Sequence, residues 1–151
     1  MKPSTLVFAA LLLVPAAALA ADSQPVVRTD PVLEQASKTI AAKDWPQAQA
    51  LLKDAIASNP SNADYHNLYA YSIRKGANPD MSLVFMHYNE ALRIDPRHRG
   101  AHEYLGEAYL MVGNLPKAKE HLSALDKLCF FSCSEFSDLK KAISEYETKT
   151  K

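Results

Sequence analysis

A small side chain returns at a near-constant interval along this chain, because Ala36, Ala70 and Gly106 stand 34 and then 36 residues apart. The same register aligns Ala48, Val84 and Ala118, then Leu52, Tyr88 and Leu122, then Ala55, Ala91 and Leu125. A recurrence of this length marks a stacked array, in which one supersecondary unit repeats and buries its apolar face against its neighbours. Alanine or glycine at the recurring points lets two helix axes approach to the short end of the roughly 8–10 Å range, while a larger partner fills the adjoining groove.

The repeating unit reads as a helix pair. From Pro31 onward apolar positions follow helical spacing, and no run of alternating β-branched residues argues for strands, so the domain is expected to be all-α. Asn59-Pro60-Ser61-Asn62 and Asp95-Pro96-Arg97-His98 each end one helix and start the next through proline, asparagine and aspartate chemistry. Looser turns fall at 43–46, 75–80 and 112–116, and the two extra residues of the second unit sit in the Gly76-Ala77-Asn78-Pro79 turn.

These spacings resemble the tetratricopeptide repeat, whose signature runs W-x2-L-G-x2-Y, then A-x3-F, then P. The third unit fits best, with His102, Leu105, Gly106, Tyr109, Ala118 and Leu122; it departs at the tryptophan position and at Phe130, where the family has proline. The second reads His66, Tyr69, Ala70, Ile73, Val84, Tyr88, Ala91 and Pro96. The first opens weakly on Val32, Gln35, Ala36 and Thr39 but matches in its second half through Trp45, Ala48, Leu52, Ala55 and Pro60. The resemblance implies an antiparallel helix-pair solenoid of three units at 29–62, 63–98 and 99–132. A capping helix and tail at 133–151 follow, with Phe136, Leu139, Ala142, Ile143 and Tyr146 closing the open apolar end of the stack.

In this family the first helix of each repeat lines a concave groove. The resemblance places Asn67, Tyr71, Arg74 and Lys75 of the second unit there, with Glu103, Tyr104, Glu107 and Met111 of the third. Tyrosine and arginine anchor interfaces because they combine large contact area with a directed polar tip. The competing reading is a plain solvated helix face, on which charged residues are common. The groove lacks the basic and asparagine set that clamps a terminal carboxylate in some family members, so that mode is not expected.

The first twenty residues differ from the rest. Lys2, the apolar run from Leu6 to Leu13, and small residues at Ala18 and Ala20 outline a secretory signal with cleavage after Ala20. A membrane anchor is the rival, but Pro15 interrupts the run short of the about 20 apolar residues a spanning helix needs. Residues 21–30 read as a linker. The mature chain is thus expected to be exported, periplasmic if the source is bacterial, and without stable membrane insertion.

Cys129 and Cys133 then enter an oxidising compartment, where a disulfide stapling the last repeat to the cap is the default. Copper or thiol chemistry is the alternative, although no histidine or methionine lies close by in sequence and Phe130 and Phe131 read as core. His98 and His102 share a helical spacing used by zinc sites, but Arg97 and Arg99 flank His98 and a third ligand is wanting. His66, His87 and His121 are scattered over different helices.

Equal numbers of basic and acidic residues, 17 of each, give no basic face for nucleic acid. The mature chain carries no glycine-rich phosphate loop, no Gly-x-Ser-x-Gly and no His-Glu-x-x-His, and no cofactor is expected. The reading is a non-enzymatic scaffold that holds a protein or peptide partner, with a thiol- or metal-handling assembly factor as the alternative.

Overall fold

The computed structural model describes residues 30–131 and 133–150; the signal segment read at 1–20 and the linker up to residue 29 lie outside these. Among the described residues there are seven helices and no strand: α1 (Pro31–Ala41), α2 (Trp45–Ser58), α3 (Ala63–Arg74), α4 (Met81–Ile94), α5 (Arg99–Met111), α6 (Leu115–Leu128) and α7 (Ser134–Lys149). Helices adjacent in sequence pack as pairs, and α1, α3, α5 and α7 also contact one another in order, which is the geometry of a helix-pair solenoid.

Short polar side chains start the helices. Asp30, Asp44, Asn62, Asp80 and Asn114 accept backbone N–H bonds in the first turns of α1, α2, α3, α4 and α6, and proline opens α1, α2 and α6 where its missing N–H costs nothing. The turns inside the first and third pairs share one device. Lys43 (φ 58°) and Gly113 (φ 76°) take the left-handed conformation, and the next residues donate back at 2.9 Å (Asp44 to Thr39) and 2.8 Å (Asn114 to Tyr109). The longer turn of the second pair avoids a positive φ.

The recurring residues are buried where the register puts them. Ala36, Ala70, Ala48, Val84, Ala118, Leu52, Tyr88, Ala91 and Leu125 are fully enclosed, Gly106 and Ala55 are also buried, and Leu122 is partly covered. Three core clusters result, one under each helix pair, and α7 completes the last through Leu139 and Ile143. A Cβ on Gly106 would lie 2.6 and 2.8 Å from the Leu139 methyl carbons, so with any larger residue Leu139 or α7 would have to shift.

Polar contacts tie the starts of these stacked helices together. The Tyr65 hydroxyl donates to Asp30 at 2.7 Å, His98 Nε2 donates to Asp64 at 3.0 Å, and Arg99 lies 3.6 Å from Glu135. His98 also caps α5 by accepting the Ala101 N–H at Nδ1 (3.1 Å), which fixes its proton on Nε2. The His98 bond holds the Asp64 carboxyl below its ordinary range.

Candidate functional site: an aromatic and acidic concave face

The helices α3 and α5 bring an aromatic run together. Tyr71 packs on Tyr104 with ring centroids 4.7 Å apart, and Trp45 from α2 meets Tyr71 edge-on at 6.2 Å. The Arg74 guanidinium lies 5.5 Å from the Tyr71 centroid and 5.8 Å from that of Tyr104, a cation–π arrangement on both sides. Tyr71 and Tyr104 are half-buried, so each keeps an accessible edge, and burial pushes the Tyr104 hydroxyl up to about 12.

Arg74 itself is buried at 6% exposure, unlike the displayed groove cation that the sequence suggests. It donates to Glu107 at 2.7 Å and to the Tyr88 hydroxyl at 3.2 Å, and it lies 3.9 Å from the Met111 sulfur. A guanidinium so enclosed is stable only with its hydrogen bonds satisfied, so Arg74 organises the aromatic pair from beneath. Asn67 (4%) and Glu103 (8%) are likewise buried, whereas Lys75 and Met111 are exposed and Glu107 is half-buried.

Glu103 is the electrostatic oddity. Its carboxyl makes no hydrogen bond or ion pair among the described residues, and burial, then the neighbouring Glu107, Asp138 and Glu135, push it up to about 8. It lines a hollow of roughly 290 Å³ between α5 and α7 together with Glu107, Asp138, Lys141, Ala142 and Glu145. A larger depression, roughly 450 Å³, lies at the α2–α3–α4 edge beside Trp45, Tyr69 and Leu83.

The corner between α6 and α7 departs from expectation. Phe130 and Phe131 are 88% and 90% exposed, not core, because the chain leaves α6 at Cys129 and turns outward before α7 begins. The Sγ atoms of Cys129 and Cys133 are 2.06 Å apart, a disulfide distance, with their Cα atoms 5.9 Å apart.

Four histidines that look scattered in sequence are paired. His66 meets His87 Nδ1 to Nδ1 at 2.9 Å, and His102 meets His121 the same way at 3.0 Å. In each pair Nε2 of the first ring faces a carbonyl six residues back, Pro60 at 3.0 Å and Pro96 at 3.1 Å, so it must carry the proton there and accept at Nδ1. The pairs occupy equivalent places in successive repeats. Only the register could have revealed this, since His66 and His102, then His87 and His121, fall at matching positions. His98 faces Asp64 rather than joining His102, and among the described residues no three histidine, cysteine or carboxylate groups gather as a metal site.

No protein-family model matches the chain and no curated protein matches it. Solved structures do match. The Yersinia enterocolitica type III secretion chaperone SycD, in complex with a peptide of the translocator YopD, is similar at a TM-score of 0.65 and 12% identity, over 80% of this chain and 93% of that one. The TPR2B domain of yeast Sti1, in a complex with pHsp70, is similar at 0.68 and 18% identity, over 80% and 99%. The Sgt2 TPR domain from Aspergillus fumigatus is similar at 0.68 and 18%, over 80% and 78%. The fold is therefore that of a tetratricopeptide-repeat array. Among the described residues no helix is long and apolar enough to cross a membrane.

Proposed function

We propose that this protein is a non-enzymatic scaffold that binds a segment of a partner polypeptide along the concave face of its helix stack. The observation that carries this reading is the Trp45, Tyr71 and Tyr104 run, held edge-accessible by a buried arginine that spends its hydrogen bonds inside the protein. Rigid aromatics with one open edge bind at low entropic cost and commonly dominate interfaces. Arrays of the same fold have been solved with peptides bound, including SycD with its YopD segment, which supports the same use here.

The scaffold is proposed to act outside the cytoplasm, in the periplasm if the source is bacterial, supporting assembly of an envelope complex. The signal-like first twenty residues and a cysteine pair at disulfide distance support this. In that setting Cys129 and Cys133 staple the corner between the last repeat and α7. Sulfurs bonded to each other are not free to ligate a soft metal, which disfavours the metal-handling alternative, whereas a thiol-handling pair would pass through this same bond.

The test is capture of native partners by purified protein carrying Tyr71→Ala and Tyr104→Ala, beside a convex-face control, Met86→Ala. The reading expects the tyrosine variants to lose capture while their helical circular dichroism is kept and the control binds normally. Equal capture by all three sinks the concave-face assignment.

A further inference from the structure

The hollow between α5 and α7 is short of positive charge. Four carboxyls line it, Glu103, Glu107, Asp138 and Glu145, against the single ammonium of Lys141. Glu107 is already committed to Arg74 at 2.7 Å, and α7 brings Glu135 near Glu103 as well. Glu103 is enclosed to 8% exposure and accepts no hydrogen bond among the described residues.

The Glu103 oxygens open onto the hollow, where no group among the described residues donates to them, and a cation delivered there would answer their charge and that of the neighbouring carboxyls. One repeat earlier, on α3, Asn67 holds the equivalent place, and its fully buried Oδ1 has no donor among the described residues. The face is thus rich in unanswered acceptors.

We infer that the hollow bounded by Glu103, Asp138 and Glu145 receives a lysine or arginine side chain of the bound polypeptide. This rests on the concave-face reading and adds the chemistry of the guest. A side chain is favoured over a bare metal ion because, among the described residues, no three potential ligands gather tightly enough to hold one. A hollow of roughly 290 Å³ has room for a long cationic side chain, whose stem would lie along Ala142 while its head reaches Glu103. The aromatic run of Tyr71 and Tyr104 then continues the same face toward α3.

Entry of the cation shifts a proton. Burial and the Glu107, Asp138 and Glu135 carboxyls push Glu103 up to about 8, against which Arg74 pulls only weakly, so at neutral pH the empty site is largely protonated. The guest's charge favours the carboxylate, and binding releases a proton to solvent.

The experiment is an immobilised array of random-sequence peptides, each made in four versions with lysine, arginine, glutamine or glutamate at one position. It is probed with the intact protein and with Tyr71→Ala and Glu103→Gln. Lysine and arginine versions should bind at least about tenfold more tightly than their glutamine versions, and Glu103→Gln should erase most of that difference. Titration calorimetry of the best lysine peptide in two buffers of different ionisation enthalpy should show proton release at pH 7. Both the release and the preference should fade in the glutamine variant, though that variant folds.

Tyr71-dependent capture of neutral or acidic peptides would overturn the cationic guest and leave the concave-face reading standing. No capture of any version would overturn both. Tight binding of calcium chloride alone, abolished by Glu103→Gln, would overturn the side chain in favour of a metal ion.

Discussion

The Glu107 carboxylate accepts a 2.7 Å hydrogen bond from Arg74, and through it the buried guanidinium is held between the Tyr71 and Tyr104 rings. The pair thus links packing to the proposed binding face: it fixes the edge that the two tyrosines present.

Arg74→Ala should therefore act first on stability. It leaves the Tyr88 hydroxyl and Glu107 without their partner and opens space under the aromatics, at a cost of about 2–3 kcal/mol, below the upper range for buried pairs because Glu107 is partly exposed. Urea unfolding checks this. A loss under about 0.5 kcal/mol would show that the guanidinium is not structurally committed.

Gly106→Ala should loosen the last helix. The added methyl would meet the Leu139 side chain at 2.6 Å, so α7 must retreat or repack, which costs about 1–3 kcal/mol, partly offset by alanine's better helix propensity. Limited proteolysis should cut near α7 sooner in the variant. Adding Leu139→Ala should cancel part of the coupling in a double-mutant cycle, whereas simple additivity would contradict the contact.

The histidine pairs should make the fold acid-sensitive. Burial first, and then the facing His102, push His121 down to about 4, so the unfolded chain binds its proton before the native state does. Stability from this group is complete above about 6.5 and is lost as pH falls from there toward 4. The melting temperature should drop across that window by roughly 5 °C more than in His121→Gln, a shift readable by circular dichroism at pH 7 and 4.5. Parallel profiles would refute the assignment.

Lys43→Gly should stabilise the protein. Lys43 holds φ 58° in the α1–α2 turn, where Gly113 serves the equivalent turn of the third pair. Relief of left-handed strain outweighs the greater freedom glycine gains on unfolding, for a net of about 0.5–1 kcal/mol. Thermal melts check the sign.

The stack was legible because its packing is periodic. Ala36, Ala70 and Gly106 recur at a fixed interval, and small residues at helix crossings leave that trace in any single sequence. Tyr71 and Tyr104 follow from the same register. What the register cannot carry is whether a charged side chain points outward or folds back. Arg74 turns inward because Glu107 and Tyr88, 33 and 14 residues away, offer it partners. Phe130 and Phe131 reversed expectation for a similar reason: apolarity suggests burial, but the corner between α6 and α7 offers no surface to cover them. The histidine pairs escaped a reading of neighbours along the chain and would have shown in a comparison of repeat positions.

Site-specific photocrosslinking in the native compartment tests the central claim most directly, with the photoreactive residue placed in turn at Tyr71, Tyr104, Met111 and, on the convex side, Met86. The account predicts that one partner polypeptide is trapped from the first three positions and not from Met86. Trapping from Met86 alone, or equally from all four, would contradict a concave binding face.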